Sequence, residues 1–138
     1  NKTAHRAGTG YCYEERNGEF HTPGTINILV FTNKALTDSA MVKAIMTITE
    51  AKTAALQNWQ VESTDEVQKY NINVDHSLAK EVHTSATGTA TDGIVLTIDT
   101  NGDLLTDAGS YSLFGDTLAK AVYIGVQRAL TLAIEFDD

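Results

Sequence analysis

The stretch TINILVFT, residues Thr25–Thr32, decides the fold class of this chain. It is rich in β-branched and apolar residues at positions that point to both sides of a strand, a pattern typical of an internal strand covered on two faces. A loop containing Pro23 and Gly24 leads into it. We therefore predict a buried strand here, in a sheet covered by helices.

Helical and strand patterns alternate after this stretch. A helix is predicted from an N-cap at Thr37 or Asp38 to about Trp59, and a second one roughly over Phe114–Phe136, both amphipathic. Between them, Ile94–Ile98 reads as a second buried strand. The apolar arc predicted for the first helix consists of Met41, Ala44, Ile45, Ile48, Ala55, Leu56 and Trp59. The order strand, helix, strand, helix predicts a layered α/β domain.

We predict one domain over residues 1–138, with a mixed sheet packed by two long amphipathic helices and an α+β arrangement as the alternative. Tyr11–Arg16 is predicted as a short strand ended by a turn at Asn17-Gly18. The polar region Glu62–Val82 is interpreted as an insertion or long loop, parts of which add antiparallel strands.

Composition excludes several classes of partner. The net charge is −8, with 18 acidic and 10 basic residues, and Lys2 and Arg6 are the one pair of basic residues close together. Nucleic acid binding is therefore not expected, since it needs a basic stripe. Apolar runs such as Ile26–Phe31 are too short to cross a bilayer, so no membrane partner is expected. The single cysteine, Cys12, fits a reducing compartment, and we expect a cytoplasmic location.

Lys52 is the most informative single residue. On a helical wheel it lies between Met41 and Ile45, at the centre of the predicted apolar arc. Its stem either packs flat while the ammonium reaches solvent, or the ammonium is desolvated at the edge of a site beside a partner. Glu50 lies on the opposite side of the same wheel, where a glutamate is more often only solvated.

Two polar segments flank the predicted strands. The loop TGTATDG, Thr87–Gly93, offers small residues that a ligand can approach, hydroxyl groups, and a carboxylate at Asp92 that can accept a proton. The same loop could equally satisfy only its own backbone groups. Asn27 is an amide within an apolar strand, and it either contacts an oxyanion or bridges strands.

Motifs for metal and nucleophile chemistry are missing from the sequence. Its four histidines are scattered, without zinc-ligand spacing, so no metal site is expected. The run Asp99, Asn101, Asp103 begins like a calcium loop but has Leu104 where that loop needs glycine. Periodicity and spacing alone therefore stop at an α/β domain with one unusual lysine and one polar loop.

Three segments, in order, resemble motifs of the adenosylcobinamide amidohydrolase family. They are GTINI at Gly24–Ile28, TITEAKTAAL at Thr47–Leu56 and ATGTATD at Ala86–Asp92. The resemblance departs at Ala90, where the family pattern has glycine. It also implies a family domain that extends upstream of Asn1, so that this chain corresponds to its C-terminal part.

The resemblance implies hydrolysis of the aminopropanol amide of adenosylcobinamide to adenosylcobyric acid, in corrinoid salvage for coenzyme B12 synthesis. The corrinoid is then the substrate, and no cofactor is expected. Under this hypothesis Asp92 or Glu50 is the general base and Lys52 the proton donor or charge stabiliser. The substrate-binding candidates are Asn27, Thr87, Gly88, Thr89 and Thr91.

Two other interpretations stay open. One is a non-catalytic domain that binds a corrinoid or a protein partner on the same scaffold. The other is a domain that acts only as a subunit of a homo-oligomer, since the alanine-rich face of the last helix permits close packing between copies. The same face is equally expected within a single core.

Overall fold

The computed structural model describes residues 25–59, 86–89 and 91–135. These ranges contain four strands and two helices, with two strands before each helix. They are β1 (Asn27–Phe31), β2 (Ala35–Leu36), α1 (Asp38–Asn58), β3 (Gly93–Thr97), β4 (Leu104–Leu105) and α2 (Leu113–Glu135). The α/β class predicted from the sequence is confirmed by this order and by the packing of the helices against strands.

The strands of the described residues form two parallel pairs. β1 pairs with β3, with Asn27 opposite Gly93 and Phe31 opposite Thr97. β2 pairs with β4 over two residues each. Parallel neighbours require a crossover connection, and the chain leaves β1, passes through β2 and α1, and returns at β3. The antiparallel additions predicted in Tyr11–Arg16 and Glu62–Val82 lie outside the described residues.

Local sequence sets the ends of α1. Thr37 has extended backbone angles, and its hydroxyl accepts a hydrogen bond from the backbone N–H of Ala40 at 3.3 Å. This satisfies one of the N–H groups that the first turn of a helix leaves unpaired. At the other end the N–H of Trp59 donates to the carbonyl of Ala55. The predicted N-cap and the predicted end of this helix are both confirmed.

The core lies between the two helices and the inner side of the β1–β3 pair. From α1 it takes mainly small residues, which allow close approach of α2, and α2 contributes three side chains at helical spacing, Leu118, Val122 and Val126. Ile48 is fully buried between them. The inner strand residues packed on this core are Ile28, Val30, Ile94 and Leu96.

The buried face of α1 is turned relative to the predicted arc. Ala40, Ala44, Ala51 and Ala55 are at most 7% exposed, whereas Ile45 and Trp59 are each 37% exposed. Alanines at these positions bring α2 close, so the face that carries them packs most tightly and the larger Ile45 lies at its margin. The prediction that Ile45 and Trp59 belong to the core was therefore wrong, whereas Lys52 is among the buried residues of the helix.

Both strands were predicted as buried, and the first as covered on both faces. In the described residues the outer side of the β1–β3 pair carries Leu29, Phe31 and Val95, which are 60%, 73% and 54% exposed. The helices of the described chain pack on one side of this pair only. Helices therefore cover the inner face of the β1–β3 pair, and the predicted cover of its outer face is not present in the described residues.

Candidate active site

Lys52 and Asp92 form an ion pair between α1 and the residue immediately before β3. The Nζ atom of Lys52 donates to Oδ2 of Asp92. Their side chains are only 10% and 14% exposed, so both charges are largely withdrawn from water. A charge in such a place needs a partner, and each supplies one for the other. Of the two alternatives for Lys52, the desolvated side chain beside a partner is therefore the one observed.

The second oxygen of Asp92 is held by three donors. Oδ1 accepts from the Thr89 hydroxyl at 2.6 Å, from the Thr89 backbone N–H at 3.1 Å and from the Ile26 backbone N–H at 3.2 Å. The carboxylate therefore has one oxygen fixed by the chain itself and the other directed at Lys52. Hydrogen bonds to an ionised carboxylate are stronger than those between neutral groups, which keeps this arrangement rigid.

The ion pair lies directly against the backbone of Gly88. A Cβ atom at this position would collide with Oδ2 of Asp92 and would lie 2.7 Å from Nζ of Lys52. Only a residue without a side chain allows the two charged groups to approach so close to the backbone. The sequence suggested that a ligand could approach Gly88. In the structure, the space next to Gly88 is occupied by the side chains of Lys52 and Asp92.

Threonine side chains tie the polar loop to its surroundings. Thr25 donates to the carbonyl of Thr91 at 2.6 Å, and Thr53 of α1 donates to the carbonyl of Thr87 at 3.4 Å. The hydroxyl of Thr89 also accepts from the N–H of Thr91 at 3.4 Å. The loop is therefore bound on one side to the start of β1 and on the other to α1.

The pair lies at the amino ends of the two strands. Asp92 directly precedes β3, and Ile26 directly precedes β1. Open α/β sheets usually bind ligands outside the carboxyl ends of their strands. The ion pair of Lys52 and Asp92 therefore lies at the end of the strands opposite to the one where such sheets usually bind ligands.

The remaining predicted site residues are placed less closely. Asn27 is exposed on β1, and its Oδ1 atom lies 2.8 Å from the position of a Cβ at Gly93. It therefore borders the loop without contacting Lys52 among the described residues. Glu50 is exposed, and within residues 25–59, 86–89 and 91–135 no ion pair or hydrogen bond joins it to Lys52 or Asp92.

Of the site residues proposed from the sequence, the structure brings together Lys52, Gly88, Thr89 and Asp92. The prediction from sequence missed Thr25, Thr53 and the backbone of Ile26. Thr25 and Thr53 stand inside the motifs GTINI and EAKTAAL, so their place beside the key residues was available as a signal. The role of a backbone N–H such as that of Ile26 leaves no trace in the side-chain pattern.

Metal ligands do not cluster in the described part of the chain. Residues 25–59, 86–89 and 91–135 contain no group of three histidine, cysteine, aspartate or glutamate side chains arranged to hold an ion. All four histidines lie outside these ranges. In the same ranges neither helix is long and apolar enough to cross a membrane.

Comparison with known proteins shows which sequences this chain is similar to. A sequence model described as adenosylcobinamide amidohydrolase matches residues 2–137. An uncharacterised protein of Methanocaldococcus jannaschii is 40% identical over 107 residues, which cover 78% of this chain and 36% of that relative. The chain thus corresponds to about a third of the relative's length. No solved structure matches the chain.

Proposed function

This chain belongs to the adenosylcobinamide amidohydrolase family, and we propose that it hydrolyses the amide joining the aminopropanol arm of adenosylcobinamide to the corrin side chain. Water adds to the carbonyl carbon, the carbon–nitrogen bond breaks, and the products are the carboxylate of adenosylcobyric acid and protonated aminopropanol. A cytoplasmic location is part of the proposal, supported by the single cysteine of the sequence.

The observation that carries this proposal is the ammonium of Lys52. It is largely desolvated, and Asp92 is its acceptor among the described residues. An ammonium has three N–H donors, so two remain for a ligand in this part of the structure. A cation held in a low-dielectric place stabilises negative charge far better than one in water.

Amide hydrolysis needs such a group at two stages. When water adds, negative charge develops on the carbonyl oxygen, and an N–H of Lys52 directed at that oxygen lowers the barrier. When the carbon–nitrogen bond breaks, the amine must gain a proton, which Lys52 is able to donate. Asp92 holds the ammonium in place until it takes a proton from the attacking water through Oδ2, the oxygen that faces Lys52.

A groove next to the pair supports the binding of a large ligand. Its volume is about 620 Å³, and it runs along β1 and the facing side of α2. Thr25 and Ile26 are among its lining residues and also contact Thr91 and Asp92, whereas Lys52 and Asp92 themselves do not line it. A substrate whose body lay in this groove would have its reactive arm close to the ion pair.

Release of aminopropanol from adenosylcobinamide tests the proposal. We expect the purified protein to release it and Lys52→Met to lose at least about 100-fold in kcat, a typical contribution of a positioned proton donor. Lys43→Met is the matched control, because Lys43 is an exposed lysine of the same helix outside the site. A folded Lys52→Met variant with full turnover would remove Lys52 from the chemistry.

The two candidate carboxylates are separated by a parallel pair of variants. Asp92→Asn is expected to lose most of the turnover, and Glu50→Gln to retain it, because only Asp92 contacts Lys52 in the described residues. If wild-type protein shifts the corrin absorption spectrum without releasing aminopropanol, the chain is a corrinoid-binding domain and the hydrolase proposal is wrong.

A further inference from the structure

We infer that Thr89 is a positioning residue for Lys52, acting through the carboxylate of Asp92 rather than by contact with a ligand. This deepens the proposed function, on which its kinetic consequence rests, but its structural consequence can be tested without any turnover. The inference changes the role expected from the sequence, where Thr89 was a candidate for substrate binding.

The direction of the Thr89 hydroxyl is fixed by its two neighbours. It donates to Oδ1 of Asp92 at 2.6 Å and accepts from the N–H of Thr91 at 3.4 Å. Thr89 is also only 9% exposed. A hydroxyl has one proton to donate, and here that proton is directed to the carboxylate. It is therefore not available for a substrate acceptor while Asp92 keeps its place.

The two oxygens of the Asp92 carboxylate therefore have different hydrogen-bond partners. With Oδ1 held by Thr89 and by the Ile26 N–H, Oδ2 is left facing Lys52. Of the three donors to Oδ1, only the hydroxyl belongs to a side chain and can be removed by substitution. The hydroxyl also makes the shortest of the three contacts, which marks it as the strongest restraint on the orientation of the carboxylate.

Loss of that hydroxyl lets the carboxylate turn away from Lys52. The Nζ atom of Lys52 would then lose the carboxylate that shields it. A lysine amine that is shielded by an ion pair reacts slowly with acylating reagents, and loss of the pair raises the rate. The reactivity of Lys52 toward acetic anhydride therefore reports directly on the Asp92 contact, independently of any substrate.

The experiment compares acylation of Lys52 by acetic anhydride at one fixed pH in four proteins, read by peptide mass spectrometry. Relative to wild type, we expect Thr89→Val to raise the rate at least about threefold, corresponding to about 0.7 kcal/mol. Thr89→Ser, which restores the hydroxyl, should stay near the wild-type rate. Thr25→Val is the matched control, because it removes an equally short hydrogen bond from the same loop, to the Thr91 carbonyl and not to Asp92.

Turnover supplies the second readout. If the chain hydrolyses adenosylcobinamide, Thr89→Val should lower kcat about tenfold with little change in KM, and Thr89→Ser should recover most of it. A rise in KM at unchanged kcat would instead show that Thr89 binds substrate. If wild-type protein has no turnover, the proposed function fails, and the acylation experiment alone decides the role of Thr89.

Unchanged acylation of Lys52 in folded Thr89→Val overturns the inference. If Thr89→Val does not fold, Thr89→Ala is measured in the same way. Should neither fold while Thr89→Ser does, the hydroxyl is a requirement of folding, and the positioning role is wrong.

Discussion

The ammonium of Lys52 lies 2.7 Å from the position that a Cβ atom at Gly88 would occupy. Gly88 therefore sets a limit on how the ion pair can be built, since even one methyl group would occupy its place. Because Lys52 belongs to α1 and Gly88 to the loop before β3, this relationship also fixes how closely the helix and the loop approach.

Gly88→Ala is expected to disrupt the site. The added methyl group collides with the carboxylate of Asp92, and overpacking of this kind costs about 1–3 kcal/mol of unfolding free energy. Turnover should fall with it, because Lys52 must move. Chemical denaturation measures the stability. Gly125→Ala is the control: its Cβ meets nothing within 4 Å in the described part of the chain, so a helical alanine should gain about 0.5–1 kcal/mol there. Equal stability of both variants would contradict the tight approach at Gly88.

Lys52→Met and Asp92→Asn should each destabilise the protein, by about 3 kcal/mol, because each leaves its partner largely buried without a counter-charge. The double variant should lose less than the sum of the two, by about 1–3 kcal/mol, since neither charge is then left alone. Denaturant titrations of the four proteins complete the cycle. Strict additivity would mean that the two groups do not interact in solution.

Thr47→Val should destabilise the junction between α1 and the segment before α2. The Thr47 side chain is 2% exposed, and its hydroxyl donates to the carbonyl of Ala108 at 2.8 Å. Valine keeps the shape but leaves that carbonyl without its donor, at a cost of about 1–3 kcal/mol. Thr49→Val is the control, because Thr49 is exposed and bonds within its own helix, to Ile45. It should change stability by less than about 0.5 kcal/mol.

Acid should weaken the junction of β2 and β4 through Asp103. Lys34 donates to its carboxylate at 2.5 Å, and this hydrogen bond, with the attraction between the charges, lowers the pKa of Asp103 below 3.8. A carboxyl whose pKa is lower in the folded state stabilises the fold above its unfolded value. That contribution is lost as the pH falls through the folded pKa.

Thermal melting of wild type and Asp103→Asn at a series of pH values tests this. The two Tm curves should differ above a pH of about 4 and converge below it, because the variant has no carboxyl to titrate at this position. Added salt should reduce the difference, since the pair is exposed. A difference that grows as the pH falls would contradict the assigned sign.

Much of this architecture was accessible from the pattern of residues. The apolar run at β1, the N-cap at Thr37 and the long helices each follow from local rules, and each was confirmed. β2 and β4 escaped prediction because two-residue strands are too short to show an alternating pattern. The orientation of α1 was misjudged because large residues such as Ile45 and Trp59 dominate a hydrophobicity wheel, while close packing of helices favours alanine.

The residues of the candidate site were likewise predictable only in part. Lys52 stood out as a charge among apolar neighbours, and Asp92 as the acid of a small-residue loop. Their pairing depends on how the chain between β1 and β3 folds back, and no local sequence pattern predicts that. Glu50 became a candidate through the resemblance, although a separation of two residues on a helix already points its side chain and that of Lys52 in nearly opposite directions.

The residues of the site lie far apart along the chain, and this affects the order in which the protein folds. Lys52 and Asp92 are 40 residues apart, and Ile26 and Asp92 are 66 apart. Contacts of such length form slowly, because a large loop must close before they are made. In a refolding experiment helical circular dichroism should therefore return before the contact of Lys52 with Asp92 does. The ion pair is then assembled among the last events, and a molecule stalled after helix formation would be compact but inert.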